Sequence, residues 1–600
     1  MFFRFCILFA AIAFAAFNAS AIEVGTAAEL ESAVANGESE IILTASEYAI
    51  SGTLQFQRKS VTVKGRSNNP RDTVIYGNGT FRIMDLSKNS VPSALISNLT
   101  ISNGYCTASG GSSSTAGVQG YDKRNTLSNV VVTCCTIDAN GNSTGHGAGV
   151  AWCVLRNCKV VGNKILTSKG NGGGLNSCTC YDTDVFDNET YGYGGGAYAT
   201  TFYRSRIFNN LSKLGGGGAY GGSIRDNCVV SNNTAYTYGG GIYGSSVECK
   251  AYDSEICMNK LDSPTKLNAV DGAGVAACTI VSNCVIRGNA IADANGSGGR
   301  VGGGAYNSTL RDCRVYDNFS INVVGGASDC SAYDCVFSNN CNAADGASFR
   351  RIEAERCVFY GGSADYSCRL VDCQFLNGGR TCHLPVGANV FTNGDFVACN
   401  KVLNASADNS AVAATNCLFA GNYSGDALFV KPSAAALDLV NCTFVDNCAK
   451  AMLRDRKSKE TVTGVPLKVI NCAFPRNYNE NLNSPARQDF KIEKIETGES
   501  RNIVMKNCLF GPVKVMTGVT LVTPEENCVN NVTDMMFDTS NAEHPYSLKR
   551  KSPAIGMGLY QDWMASATDL KGDPRAHGTS VAIGCYECWQ LAPGFILFMR

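Results

Sequence analysis

An apolar residue followed three positions later by asparagine recurs along this chain, and that rhythm constrains the fold more than any other feature. The pairs are Ile137/Asn140, Val160/Asn163, Val185/Asn188, Ile207/Asn210, Val230/Asn233, Ile256/Asn259, Ile286/Asn289, Val315/Asn318 and Phe337/Asn340. Successive asparagines stand 23, 25, 22, 23, 26, 30, 29 and 22 residues apart. The pattern resumes at Phe419/Asn422, Phe444/Asn447 and Phe474/Asn477. Such a period marks stacked units, each able to bury its apolar face only against its neighbours.

Two residues before each apolar position stands a small side chain: Cys135, Cys158, Thr183, Ser205, Cys228, Ser254, Cys284, Cys313 and Cys335, then Cys357, Cys373, Cys417, Cys442, Cys472 and Cys508. A spacing of two places both residues on one face of a strand, and both are expected to point inward. A second column is a glycine cluster, as in Gly172-Gly173-Gly174, Gly194-Gly195-Gly196, Gly216-Gly217-Gly218, Gly239-Gly240-Gly241 and Gly302-Gly303-Gly304. Glycine there suits a tight corner repeated on every turn.

No unit carries an amphipathic helix of 10 residues, and no Leu-x-x-Leu-x-Leu run recurs, so helical solenoids and leucine-rich repeats are excluded. The reading is an all-β, single-stranded right-handed parallel β-helix in which equivalent positions stack along the axis. Asn140, Asn163, Asn188, Asn210, Asn233, Asn259, Asn289, Asn318 and Asn340 then form a structural ladder, their amides bonded coil to coil and the asparagines tolerating a left-handed corner. Thr26-Ala27-Ala28-Glu29 is a capping-box signature for a short N-terminal helix, with Leu30 and Val34 on one stripe. The expected organisation is a signal peptide over 1–21, an N-terminal cap over 22–50, the β-helix over 51–535 and a closing segment over 536–600.

The glycine cluster paired with the apolar-x-x-Asn motif resembles the repeats of the polymorphic membrane protein family and the wider pectin-lyase-like β-helix superfamily. The resemblance spans residues 25–535 and rests on short motifs. The stretches Ser552-Pro553-Ala554-Ile555-Gly556, Asp569 to Arg575 and Val581 to Glu587 look like the closing segment of secreted bacterial β-helix proteins. Gly556 and Ala582 depart from that pattern, standing where Asp is common. The resemblance implies an exported protein that acts on or binds polysaccharide. Only 13 residues follow Glu587, too few for the membrane barrel of an autotransporter.

Arg4, the apolar run from Phe5 to Phe17 and Ala19-Ser20-Ala21 read as a secretory leader cleaved near Ala21, giving a secreted or cell-surface protein with no transmembrane span. Lys+Arg and Asp+Glu both number 51, so the chain lacks the basic excess of nucleic-acid binders. Export would carry 29 of the 30 cysteines, all but Cys6 of the leader, to an oxidising compartment, an odd number that cannot pair completely within one chain. Disulfide candidates are Cys153/Cys158, Cys278/Cys284, Cys330/Cys335 and Cys368/Cys373, with a stack of buried free thiols as the competing reading.

Catalytic signals are sparse. Gly145-His146-Gly147 matches a tripeptide of polygalacturonases, but the chain has no Asp-Asp dipeptide to act with it. Asp182, Asp184 and Asp187, and Asp293, Arg300 and Asp317, form no constellation by spacing, so no metal or cofactor is expected, calcium entering only for a lyase. Cys585-x-x-Cys588 lacks the further ligands of a zinc site. Tyr198, Tyr220, Tyr243 and Tyr306 follow their glycine clusters and would line up as a file, either an outward platform for sugar rings or a packing ladder. The functional expectation is an exported adhesin-like scaffold for an extracellular polysaccharide or cell-surface glycan. The alternative is a polysaccharide lyase or glycoside hydrolase.

Overall fold

The computed structural model describes residues 21–588, leaving out 88–90, 108–114, 139–144, 168, 265–269, 293–299, 322–323, 343–346, 362, 366–367, 377–387, 393–394, 398–402, 405–410, 433–436, 457–466, 480–486, 495–502 and 518–524. The leader and Asn140 therefore lie outside the described residues. Parallel pairing runs unbroken from Ile22 through Ile41, Val63, Ile96, Leu127 and Leu155 to Val469 and Met505. The molecule is an all-β parallel solenoid, with one short α-helix near its start. Coils begin at Ile22, ahead of the boundary placed at residue 51, because Ile22–Val24 already pairs with Ile41–Leu43. Helix Ala27–Asn36 belongs to that first coil; Thr26 and Glu29 close its capping box, and Leu30, Ala33 and Val34 are buried.

The coil from Gly172 to Tyr193 shows how sequence becomes shape. Its strands are Leu175–Asn176, Thr179–Tyr181, Asp184–Phe186 and Glu189–Thr190. Single left-handed residues separate them: Ser177 (φ 52°), Asp182 (φ 51°) and Asp187 (φ 54°). Each is followed by a buried small polar side chain, Cys178, Thr183 or Asn188. Asn163 to Asn340 are thus not the left-handed residues themselves. That conformation belongs to the residue just before each, where Asn, Asp and Gly predominate because a short or absent side chain bears it with least strain.

Where the residue after a kink is polar, its inward side chain can bond both to its own strand and to the preceding coil. Thr183 Oγ1 donates to the carbonyl of Tyr181 at 2.9 Å and accepts from the Cys158 N–H of the preceding coil at 3.4 Å. Cys335 follows the same rule: its thiol donates to the Tyr333 carbonyl at 3.2 Å and its sulfur accepts from the Cys313 N–H at 3.4 Å. Asn188 Nδ2 donates to the carbonyls of Phe186 and Val160, and Asn188 Oδ1 accepts from Asn163 N–H and Nδ2 at 3.0 and 2.9 Å. The kink breaks the carbonyl ladder, and the side chain supplies the acceptor that a buried N–H requires. A short side chain with both donor and acceptor meets this need, which explains why Cys, Ser and Thr interchange in one file and Asn predominates in another, although the buried Leu99, Val130 and Ile352 follow kinks at Asn98, Asn129 and Arg351 without supplying an acceptor. Burial pushes the Cys158 thiol up to about 11 and the Cys330 thiol up to about 12, so both remain proton donors at neutral pH.

The register corrects the start of the ladder. Val132 pairs with Val160, and the N–H of Cys135 donates to Asn163 Oδ1 at 3.0 Å, so Cys135 occupies the asparagine file. Ile137 pairs with Ile165, one strand further on than the motif suggests. The disulfide candidates are corrected too: Cys153, Cys158, Cys278, Cys284, Cys330, Cys335, Cys368 and Cys373 are all free thiols. Both members of each pair are buried at successive kinks with an extended strand between them, Ser331–Tyr333 in the case of Cys330 and Cys335. Five or six residues along such a path exceed the Cα separation of about 7 Å that a disulfide can span.

The glycine clusters mark the place where coils come closest. A Cβ on Gly195 would stand 2.4 Å from the carbonyl oxygen of Gly217 in the next coil, so no other residue fits. The closing segment packs along the side of the last coils, where Leu418, Ala420, Val445, Ala473 and Leu509 bury an outer face against Phe537, Leu548, Ala554, Ile583 and Cys585. Kink residues there serve as docking posts: Asn471 exchanges two bonds with the Leu559 backbone at 2.6 and 2.7 Å, and Asn507 Nδ2 donates to the Met557 carbonyl at 2.9 Å. Arg575 is fully buried, its Nη1 3.2 Å from Glu587 Oε1, while Ala582 N–H donates to both Glu587 oxygens. Gly556 is left-handed (φ 71°) and Ala582 buried, so the two departures from the family pattern occupy structural positions.

Two outcomes follow. Replacing Cys335 with Ser should change stability by less than about 1 kcal/mol, whereas Cys335→Val should cost about 1–3 kcal/mol by stranding the Cys313 N–H, as measured by urea unfolding. Burial raises Glu587 to about 7 against the attraction of Arg575, so its neutral form, which needs no counter-charge, gains below that pH. Arg575→Met should therefore loosen the closing segment by about 3 kcal/mol at pH 8 and by less at pH 5, read by protease protection.

Candidate functional site

Outward positions on strands not covered by the closing segment do not pack into the core, so what they hold is informative. Residues just before the kinks at Asn157, Asp182, Arg204 and their successors form one outward file along the axis. In register order it reads Arg156, Tyr181, Tyr203, Arg225, Tyr252, Ser282, Arg311, Tyr333 and Glu355. Arg156 lies over the Tyr181 ring, Arg225 over Tyr252 and Arg311 over Tyr333, each guanidinium 4.4 Å from the ring centroid. Tyr181 and Tyr203 stack at 4.8 Å with 8° between planes. Across the kink a second aromatic pair, Phe186 and Phe208, stacks at 4.7 Å, and Arg314 lies 5.6 Å from the Tyr316 ring centroid. These rings are half-buried, and Arg156 and Arg311 are exposed.

Most carboxylates on this face are already committed, the exposed Asp226 and Asp312 excepted. Arg204 holds Asp182 through two bonds at 2.9 and 3.0 Å, and Arg206 holds Asp184 at 2.8 and 2.6 Å. Arg356 holds Asp334 in the same forked manner, and the Arg204 bond keeps the Asp182 carboxyl below its ordinary range. Beside Tyr252 lies a shallow cleft of about 300 Å³ lined by Asn227, Asp253, Ser254, Glu255, Asn283 and Val285. Its acids are also engaged: Asp253 accepts from Asn283 Nδ2 at 2.7 Å, and Glu255 from Arg287 at 2.6 Å. Among the described residues no three metal-ligating side chains stand close enough to share a cation. Asp293 lies outside the described residues.

The tyrosines singled out from the glycine clusters behave otherwise. Tyr198 and Tyr220 stack at 5.2 Å, Tyr193 folds onto Tyr220 at 4.8 Å, and Tyr238 lies on Tyr243 at 5.2 Å. Tyr220 is only 4% exposed and its hydroxyl meets Ser246 Oγ at 2.8 Å, so its faces are closed to a sugar ring. Ala276 separates Tyr306 from Tyr243 in the file. Tyr198 and Tyr243 are half-buried members of the same cluster. His146, in the glycine column, is largely buried, and burial pushes its pKa down.

The arginine-tyrosine file escaped the reading by motif, although the signal is in the sequence. It is the residue preceding each kink, visible in Arg156-Asn157-Cys158, Tyr181-Asp182-Thr183, Tyr252-Asp253-Ser254, Arg311-Asp312-Cys313 and Tyr333-Asp334-Cys335.

No family model matches the chain, and no curated protein matches it. Solved structures similar to it include PfbA, a surface adhesin of Streptococcus pneumoniae, at 10% identity and TM-score 0.26, covering 63% of this chain and 92% of that one. Another is the PL6 family alginate lyase AlyGC, at 10% identity and TM-score 0.25, covering 86% and 99%.

The two aromatic groups should separate on substitution. Tyr220→Ala should cost about 3–5 kcal/mol in urea unfolding, as a sealed ring does. Tyr252→Ala, on the open face, should cost about 1 kcal/mol or less.

Proposed function

We propose that this chain is an exported scaffold that binds a glycan along its side, through the outward file from Arg156 to Tyr333. The observation that carries the reading is the repetition of one arrangement, a guanidinium flat on a tyrosine ring, at three places along a straight stack. Half-exposed aromatic faces suit the apolar faces of sugar rings, and guanidinium edges suit their oxygens. Each contact is weak, but the rigid spacing lets contacts to a repetitive ligand add. The N-terminal run of Arg4, Phe5 to Phe17 and Ala19-Ser20-Ala21 supports export. No described helix is long and apolar enough to cross a membrane.

A catalytic role finds less support. A lyase of this architecture needs converging acids and a free base, and Asp182, Asp184, Asp253 and Glu255 beside the file are each paired with an arginine or an amide, while Asp226 and Asp312 stand singly on the surface.

A glycan screen combined with absorbance detection of unsaturated products tests both readings. The expected result is binding without product, weakened about tenfold or more in Tyr252→Ala and Tyr333→Ala at unchanged melting temperature. Accumulation of unsaturated product, or binding untouched by either substitution, would overturn the proposal.

A further inference from the structure

The arginines of the file are not scattered. Following the strand register, Arg156 is succeeded by Tyr181 and Tyr203, then Arg225 by Tyr252 and Ser282, then Arg311 by Tyr333 and Glu355. Arginine returns on every third coil and its stacked tyrosine on the next. At about 4.8 Å per coil, guanidinium follows guanidinium at about 14 Å.

These arginines differ from most of the others around them, Arg314 on the Tyr316 ring excepted. Arg204, Arg206, Arg287, Arg351 and Arg356 each pair with a carboxylate. Among the described residues, Arg156, Arg225 and Arg311 have no carboxylate within ion-pair distance, since the acid following each stacked tyrosine is taken. Asp182 is held by Arg204, Asp253 by Asn283 and Asp334 by Arg356. Arg225 has only the Ser223 hydroxyl, at 2.9 Å from Nε. A guanidinium lying flat on a ring keeps its N–H edge for a planar anion.

We infer that the ligand is a linear acidic polysaccharide, laid parallel to the solenoid axis with carboxylate or sulfate groups seated on Arg156, Arg225 and Arg311. The inference rests on the glycan-binding reading above and adds the charge and direction of the ligand. Anions two guanidiniums apart on one chain bind as a linked pair, so affinity should step upward once an oligosaccharide spans about 14 Å.

Titration calorimetry on the whole protein tests this with polygalacturonate as the carboxylate polymer, chondroitin sulfate as the sulfated one, a neutral β-glucan and a single-stranded polynucleotide. Arg156→Gln, Arg225→Gln and Arg311→Gln should each weaken binding of an acidic polysaccharide about tenfold, and the triple variant should abolish it at unchanged melting temperature. Lysine at the same positions should restore part of the affinity, since charge returns without the fork. The stronger of the two acidic polymers identifies the anion. Unchanged binding by the triple glutamine variant overturns the inference, as does equally tight binding of the polynucleotide. If neutral and acidic glycans bind alike and only tyrosine variants weaken them, the glycan reading stands and this inference falls. If no glycan binds the unaltered protein, the earlier reading falls first.

Discussion

The architecture depends on how left-handed kinks can be buried repeatedly along the coils, three between the strands of a coil such as Gly172 to Tyr193 and two in the coil from Leu437. Each kink interrupts the parallel ladder and leaves an interior N–H without a carbonyl, a defect that costs about 1–3 kcal/mol when unmet. The chain meets it with a side chain from the next coil: Thr183 for Cys158, Asn188 for Asn163, Cys335 for Cys313. The same side chains also bond to their own strand, so coil-to-coil spacing and kink geometry are held by one group. Cysteine abundance follows from this requirement. A thiol is a small buried group that can both donate and accept, and here it substitutes for serine or threonine.

Because kinks and glycine corners fix the path, the outward residue before each kink is left free. That freedom produces the functional face. Arg156, Tyr181 and Tyr203 stack directly because the strands carrying them are in register, and straight files follow from equal rise at every coil. Overall neutrality conceals this. Charges of both signs sit on the face, but forked arginine-aspartate pairs remove most of them and leave a few guanidiniums on aromatic rings.

The fold was legible in the asparagine and glycine columns because inward positions tolerate few residue types. The capping box of the exposed Thr26 and Glu29 was legible because its bonds are local, made within four residues of sequence. Register near Cys135 was misread because a cysteine there stands in the asparagine file while Val130 takes the place opposite Cys158, and only pairing of Val132 with Val160 reveals the shift. The side-on docking of residues 536–587 was hidden, since the outer apolar face formed by Leu418, Val445 and Leu509 comes from residues far apart in sequence. The tyrosines after the glycine clusters drew attention by their spacing, yet Tyr193 and Tyr238 close over them from the corners. Spacing reveals which residues share a file, and the neighbouring loops decide whether that file is open.

Amide hydrogen exchange at the kinks tests the central claim most directly. If side chains of the next coil hold these interior N–H groups, the amides of Asn163, Asn188 and Asn210 should exchange as slowly as those in the strands beside them. Exchange as fast as in the exposed corners would contradict the account.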